Sequence, residues 1–377
     1  LSLLLEKKQQ RLTLLVGTSG DTGSSAIEAM RGKSRIEIVV LYPLPGYSAI
    51  TRVQERQMTA VAEIADNVHV IGVEGSSDDL DVPMEVLFRD NAFKIEHSLG
   101  TVNSVNIVRL IVQAAHYFWA YLKLNPKIEG MQEFVVPCGA AGHLSAGLLA
   151  LELGLPAKLI AATNANDVLH QLISKGAVQA GAVSRTLSPS MDIGVPYNVW
   201  RMLYVASGRN SLAVRKWQAA FAAGTLELPE AVHRSLAACV RSARVSDEET
   251  RHTIARVHMQ CGYLLDPHSA VAVAAATQLG AHSSAVCFGC AHAVKFLPAA
   301  AAALGLSESK TLSISTSGME AHTCVGAVAR LARQLLETEP SPPSIVLRRK
   351  EQSAWSTQLR LYVQNISMKA RWKPSKL

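Results

Sequence analysis

The sequence predicts an α/β protein with doubly wound, mostly parallel sheets and one helical insertion. Three observations lead there. Strand-length apolar runs alternate with helix-period segments through the first half of the chain, the pattern of parallel sheets covered on both faces. Two small-residue loops, 17–23 and 138–143, each leave an apolar run and open a helical one. No apolar run reaches the roughly 18–20 residues that span a bilayer, so the apolar segments read as core rather than membrane.

The elements follow in order. Leu12 to Val16 reads as a strand, Gly17 to Gly23 as a turn-rich loop, and Ser24 to Met30 as a helix closed by Gly32. Ile36 to Tyr42 is a second buried strand, stopped by Pro43 and Pro45. A helix over Ile50 to Val61 and a strand over Val68 to Val73 come next. Asp78 to Asp90 is helical, with aspartates early, where the positive helix end favours them. Asn103 to Leu122 is a long helix carrying Val108, Val112, His116 and Phe118.

The alternation then repeats. Glu133 to Pro137 is a strand, Cys138 to His143 a loop, Leu144 to Leu153 a helix, Lys158 to Thr163 a strand and Asp167 to Ser174 a helix. Residues 211–259 are alanine-rich and amphipathic, with Leu212, Trp217, Phe221, Leu236 and Ile254 expected inward, and read as a helical excursion. Strand pattern returns at Ser284 to Phe288. Periodicity fades after Thr311, and 336–377, with Glu339-Pro340-Ser341-Pro342-Pro343 and many bases, is expected to be a loosely ordered tail. The expected organisation is an N-terminal α/β subdomain over 1–92, a larger α/β domain over 93–310, and a divergent basic tail over 311–377. No repeat of solenoid length is visible.

Composition narrows the function classes. The chain has 377 residues, 49% hydrophobic and 18% charged, which fits packed globular protein of two or three domains. Its net charge is +7, but the bases cluster only at the far end, around Arg348-Arg349-Lys350 and from Lys369 to Lys376. Nucleic acid is therefore not the expected partner. The first eight residues lack the basic-then-apolar order of a signal peptide, and the chain begins with leucine. The expectation is a cytoplasmic, membrane-free protein whose given sequence starts inside a gene product. Six sparse cysteines suggest free thiols, and Cys287-Phe288-Gly289-Cys290 alone is weak evidence for a metal or redox site.

The two loops carry the chemistry. Thr18-Ser19-Gly20-Asp21-Thr22-Gly23 comes off a strand and opens a helix. Its glycines allow a tight turn that points N–H groups outward, and its hydroxyls add donors. With the helix N-terminus this makes an anion cradle; an ordinary capped turn is the simpler alternative. Gly139-Ala140-Ala141-Gly142-His143 also lies between strand and helix, with side chains small enough for an oxyanion to reach the backbone. It is neither a Walker loop nor a complete dinucleotide fingerprint.

The residues also carry a resemblance. Thr18 to Gly23 matches the TSGDTG signature of threonine synthases, pyridoxal-phosphate enzymes of fold type II (the tryptophan synthase β-like class). The resemblance continues through Gln54-Glu55-Arg56-Gln57-Met58-Thr59, Asn103-Ser104-Val105-Asn106, Ser190-Met191-Asp192-Ile193, Asp266-Pro267-His268-Ser269-Ala270-Val271 and Ala291-His292-Ala293-Val294-Lys295-Phe296. It covers roughly residues 10 to 306.

The resemblance implies a phospho-lyase with pyridoxal 5'-phosphate as cofactor and a small phosphorylated amino acid as substrate. By position, Gly139, Ala140, Ala141, Gly142 and His143 would hold the cofactor phosphate. Cys290 stands where many relatives place Ser or Thr against the pyridine nitrogen, and a thiol is a weaker partner. Thr18, Ser19, Gly20, Asp21, Thr22 and Gly23 would hold the substrate carboxylate. Ser104, Asn106 and Arg109 are candidates for the leaving phosphate, a task suited to a guanidinium fork.

No metal is implied. The family's Schiff-base lysine sits in a Phe-Lys-Asp motif before TSGDTG that these residues do not include. Lys7 and Lys8 lie in a charged helix end, and Lys295 is expected to be structural. The sequence thus supports two readings: a phospho-lyase, or a non-catalytic form that binds other proteins. A third reading, a dinucleotide-binding dehydrogenase, is disfavoured because the chain lacks the acidic ribose contact after a true GxGxxG.

Overall fold

A computed structural model describes residues 1–18, 20–48, 50–62, 64–76, 78–306 and 342–372. They fall into two compact units: Leu1–Asn103 with the described part of Gln334–Leu377, and the described part of Ser104–Arg333.

The first unit begins with α1 (Ser2–Lys7), β1 (Leu12–Gly17), α2 (Asp21–Met30), β2 (Ile36–Pro43), α3 (Arg52–Ala62) and β3 (Val68–Val73). A short 3₁₀ turn then leads into α4 (Asp81–Arg89), α5 (Asn91–Glu96) and β4 (Leu99–Gly100). The strands pair in parallel, β1 lying between β2 and β4, with Leu14 opposite Ile38 and Leu41 opposite Ile71. Helices cover both faces, so β1 to β3 are apolar almost throughout: Leu15, Val16, Val39, Val40 and Ile71 are fully buried.

The second unit holds α6 (Ile107–Leu124), β5 (Gln132–Pro137), α7 (Gly142–Glu152), β6 (Ala157–Thr163), α8 (Val168–Lys175) and β7 (Ala177–Gln179). It continues through α9 (Val199–Ala206), α10 (Ser211–Ala222), β8 (Thr225–Glu227), α11 (Glu230–Cys239), β9 (Val240–Arg244), α12 (Asp247–Cys261), α13 (Pro267–Gln278), β10 (Val286–Cys287) and α14 (Leu297–Ala303). Its main sheet runs β10-β5-β6-β9, all parallel, and β7 pairs antiparallel with β8. Phe134, Val135, Ile160 and Ala161 form its centre at 0% exposure, which places the loop after β5 at the end of a rigid strand.

Three expectations need correction. Leu212, expected inward, is exposed. Residues 211–259 are not purely helical. Val240–Arg244 is an edge strand parallel to β6, with only Val240 and Ala243 buried. A half-exposed five-residue strand after an alanine-rich helix carries too little apolar signal to stand out.

The described part of the 336–377 tail is ordered structure. Ile345–Leu347 (β11) extends the first sheet in parallel beside β3. The C-terminal helix Trp355–Trp372 buries Trp355, Leu359, Val363 and Ile366, an i, i+4, i+8, i+11 stripe. The bases of this segment meet acids of its own unit: Arg348 with Glu74, Arg349 with Asp79 at 2.8 Å and Arg360 with Asp90 at 2.9 Å. The part of the tail from 311 to 341 lies outside the described residues.

Candidate active site

The loop after β1 is wound around Thr18. Its hydroxyl oxygen accepts from the N–H of Gly20 at 2.9 Å and of Gly23 at 2.8 Å, and its own N–H donates to the Leu41 carbonyl at 3.0 Å. The expected outward aim of those two glycine amides is therefore corrected: both turn inward onto Thr18. Helix α2 begins at Asp21, three residues before the expected start, because the Thr18 oxygen caps its first turn.

Gly20 is required there. Its φ is +127°, and a Cβ would lie 2.7 Å from the Gln54 amide. Gln54, fully buried, donates to Asp21 Oδ1 at 3.2 Å and accepts from the Thr51 N–H at 3.0 Å. Thr22 is half-buried on the first helical turn, and Ser19 lies outside the described residues.

The second loop runs from β5 into α7. Ala141, at its tip, is left-handed with φ +56°. A left-handed residue just before a helix turns successive N–H groups toward one concavity, where the helix dipole also favours an anion. Gly139 admits no side chain: a Cβ would lie 2.8 Å from the Ser190 carbonyl and 3.1 Å from Met191 Cα.

The Ala140 carbonyl is held from behind by Asn198, which is fully buried. Asn198 donates to it from its backbone N–H at 3.1 Å and its side-chain amide at 2.9 Å. That amide also donates to the Ser104 carbonyl at 3.2 Å, while Arg201 donates to the Asn198 side-chain oxygen and, at 2.8 Å, to the Val105 carbonyl. The start of α6 is thereby fastened beside the loop. Asn106 caps α6, accepting from the Val108 N–H at 2.9 Å. Arg109 sits within the first turn, half-buried, and burial lowers its guanidinium pKa.

The segment that covers Gly139 is itself pinned. Asp192 accepts from the Thr186 hydroxyl at 2.6 Å, the Thr186 N–H at 2.9 Å, and the amides of Asn164 at 2.8 Å and Asn166 at 2.9 Å. Burial raises the Asp192 pKa despite those donors. The Ser190 N–H donates to His268 Nε2 at 3.1 Å, and Asp266 accepts from His268 Nδ1 at 2.9 Å. Asp266 also takes the hydroxyl of Ser269, whose oxygen accepts from the Cys290 N–H at 3.1 Å.

The His143 side chain lies among aromatic rings, 4.4 Å from Phe288, 5.0 Å from Tyr117 and 5.6 Å from His116 between centroids. Burial, then the neighbouring His116, pushes its pKa down to about 4. At neutral pH the ring is uncharged, so what His143 offers an anion is its backbone N–H. Burial and the nearby Cys138 and Cys290 raise the Tyr117 hydroxyl, which donates to the His143 carbonyl at 2.7 Å.

Cys290 is exposed and Cys287 half-buried, and neither is in a disulfide. Among the described residues no three His, Cys, Asp or Glu side chains gather as metal ligands, and no helix is long and apolar enough to cross a membrane. Lys7 and Lys8 are exposed at the end of α1, and Lys295 is half-buried in a 3₁₀ turn, Ala293–Phe296.

The second unit thus holds Gly139 to His143, Ser104, Asn106, Arg109 and Cys290, and the first unit holds the 18–23 loop. Sequence reading gives no role to Asn198, nor to Asp266, His268 and Ser269, which it quotes only within a family motif. The Asp266-Pro267-His268 run carries a helix-start signal, an N-cap residue followed by proline, from which the element can be read.

No family model matches the chain. Threonine synthase-like 2 of Mus musculus is 39% identical over 382 residues, covering 99% of this chain and 73% of that protein. Its counterpart in Pongo abelii is 44% identical over 279 residues, covering 72% of this chain and 57% of that protein, so the chain matches little over half of that relative's length. The crystal structure of PLP-bound threonine synthase from Brucella melitensis superposes with a TM-score of 0.80 at 33% identity, over 97% of this chain and 73% of that one. The chain therefore belongs to the threonine synthase family and has the α/β fold of type II pyridoxal-phosphate enzymes.

Proposed function

We propose that this chain carries the binding loops of a pyridoxal-phosphate-dependent phospho-lyase acting on O-phosphothreonine or O-phosphohomoserine. With one water consumed, either substrate yields 2-oxobutyrate, ammonia and phosphate. The observation that carries the reading is the loop from β5 to α7: left-handed Ala141, side-chain-free Gly139 and Gly142, and a helix N-terminus behind them. These residues fit a phosphate monoester, which needs several N–H donors and no bulk in front of them. The Cys290 thiol is a weak donor, which suits a pyridine nitrogen left unprotonated. When bound, the cofactor supplies an electron sink for the carbanion formed at the substrate α-carbon.

Each unit carries residues of the anion-holding kind that this chemistry needs. The N–H groups of residues 139–143 would take the cofactor phosphate. The first turn of α2 would take the substrate carboxylate, and since Gly20 and Gly23 bond to Thr18, the burden falls on Asp21 and Thr22. Ser104, Asn106 and Arg109 would take the departing phosphate. Asn106 uses its oxygen on the Val108 N–H, so only its NH₂ end can donate. Burial lowers the Arg109 pKa, yet a guanidinium is effectively always charged near neutrality.

The test is release of inorganic phosphate and 2-oxobutyrate from each substrate by the protein with added cofactor. Arg109→Ala is expected to raise KM by about tenfold or more, the loss of a charge-assisted pair. Unchanged KM removes Arg109 from the site. Cofactor uptake without turnover on either substrate favours the non-catalytic reading.

A further inference from the structure

We infer that Asp266 is a positioning residue that sets two separate parts of the cofactor surface at once, the phosphate loop through one carboxylate oxygen and the Cys290 wall through the other. The inference rests on the functional reading above and adds to it a residue that touches neither substrate nor cofactor.

Asp266 is 2% exposed and caps α13, with Pro267 in the first helical position. A cap needs only to accept from the N–H groups of the first turn. Asp266 does so, from His268 at 2.9 Å and Ser269 at 3.4 Å. It also receives two side-chain donors, the His268 ring and the Ser269 hydroxyl, which a cap does not require. Each of those side chains is buried, at 1% and 7% exposure, and each passes the constraint on.

Through Oδ1 the constraint reaches the phosphate loop. The Ser190 N–H donates to His268 Nε2 at 3.1 Å, so Nε2 is an acceptor and the ring proton sits on Nδ1, facing Asp266. The carboxylate thus selects the tautomer that can hold Ser190. The Ser190 carbonyl in turn lies 2.8 Å from the position a Cβ would take on Gly139. Its peptide is the wall against which the loop turns. Phe296 packs T-shaped against the His268 ring, 4.6 Å between centroids, and limits its swing.

Through Oδ2 the constraint reaches Cys290. Ser269 gives its hydroxyl proton to Asp266, which leaves its oxygen to accept from the Cys290 N–H at 3.1 Å. The backbone bearing the thiol is fixed by the same carboxylate. A hydroxyl aimed the other way would present a proton to an N–H, so loss of the carboxylate loosens Cys290.

The experiment compares affinity for pyridoxal phosphate and for pyridoxal, which lacks the phosphate, and records the absorption and fluorescence of the bound ring. In His268→Phe the phosphate arm is cut. Pyridoxal phosphate should weaken by about tenfold while pyridoxal is nearly unchanged, a loss of one well-placed hydrogen-bond set. In Ser269→Ala the other arm is cut. The bound-ring spectrum should shift while the ratio of the two affinities holds, and Ser269→Thr should restore the parent spectrum.

Asp266→Ala should show both effects, because it removes both acceptor oxygens. If all three variants only lower the melting temperature, with ratio and spectrum unmoved, Asp266 is a helix cap and the inference is overturned. If the parent binds neither probe, the functional reading falls first and the inference falls with it.

Discussion

Asn198 holds Ala140 twice, by its backbone N–H at 3.1 Å and its side-chain amide at 2.9 Å, both onto one carbonyl oxygen. A carbonyl has two lone pairs, so both are occupied and the oxygen cannot turn into the concavity where an anion would sit. The same amide reaches Ser104, where the chain enters α6. One buried residue therefore fixes the loop that would hold the cofactor phosphate and the segment that would hold the leaving phosphate, in the same unit.

Replacing Asn198 by alanine should expose this coupling. The change strands the Ser104 carbonyl, leaves the Ala140 carbonyl with the backbone N–H alone, and takes from Arg201 one of its two acceptors. Each buried group left without its partner costs about 1–3 kcal/mol, so a loss of about 3 kcal/mol in denaturant unfolding is expected. Cofactor affinity should fall with it. Asn198→Asp keeps the oxygen and the shape but not the donor, and should lose cofactor affinity with the Arg201 contact retained. Full affinity in Asn198→Asp would show that the amide donor does not matter.

Thr18 gives a parallel test in the first unit. Thr18→Val keeps the methyl group, which lies 2.4 Å from where a Gly23 Cβ would be, but removes the oxygen that takes two N–H groups. The expected cost is about 2–3 kcal/mol of stability. Thr18→Ser, which keeps the oxygen, should cost about 1 kcal/mol or less for a lost methyl. Equal losses in the two variants would mean that packing, not capping, shapes the loop.

The central strands were legible because both of their faces are covered. Val68–Val73 reads as a continuous apolar run and is that strand. The two loops were legible because glycine and small polar residues concentrate at strand ends. What escaped depends on partners distant in sequence: Asn198 lies 58 residues from Ala140, and Ser190 lies 78 from His268. Such pairings leave no local pattern. The C-terminal helix escaped for another reason. Its Trp355, Leu359, Val363 and Ile366 stripe is present in the sequence, but the surrounding prolines and bases give the composition of disorder. The bases are matched by Glu74, Asp79 and Asp90, far earlier in the chain.

That stripe makes a third prediction. Trp355 is 1% exposed, donates its ring N–H to the Arg348 carbonyl at 2.8 Å, and reaches within 2.9 Å of the Cβ position on Gly75. Trp355→Ala should destabilise the first unit by about 3–5 kcal/mol. Amide hydrogen exchange should localise the loss to β3 and β11, which pair through Ile71 and Ile345. Protection of β3 equal to that of the parent would show that the helix adds nothing to this sheet.

The last prediction concerns pH and His143. Its folded pKa is about 4 against an ordinary 6.5, with burial the larger cause and His116 the second. Its Nε2 is buried without a hydrogen-bond partner, so a proton added there would charge a dry site. Between pH 4 and 6.5 the unfolded chain binds more protons at this position than the folded chain, so stability rises with pH across that window. It is complete above about 6.5 and is lost as pH falls toward 4. The pKa difference sets an upper bound of about 3 kcal/mol. His143→Phe keeps an aromatic ring against Phe288 and Tyr117 and removes the titration. Unfolding free energies from pH 4.5 to 7 should therefore be flatter in the variant. His170, also lowered mainly by burial, contributes to both proteins alike, so the difference between them isolates His143. Parallel pH profiles would place the acid sensitivity elsewhere and show that the His143 ring finds a way to solvent when protonated.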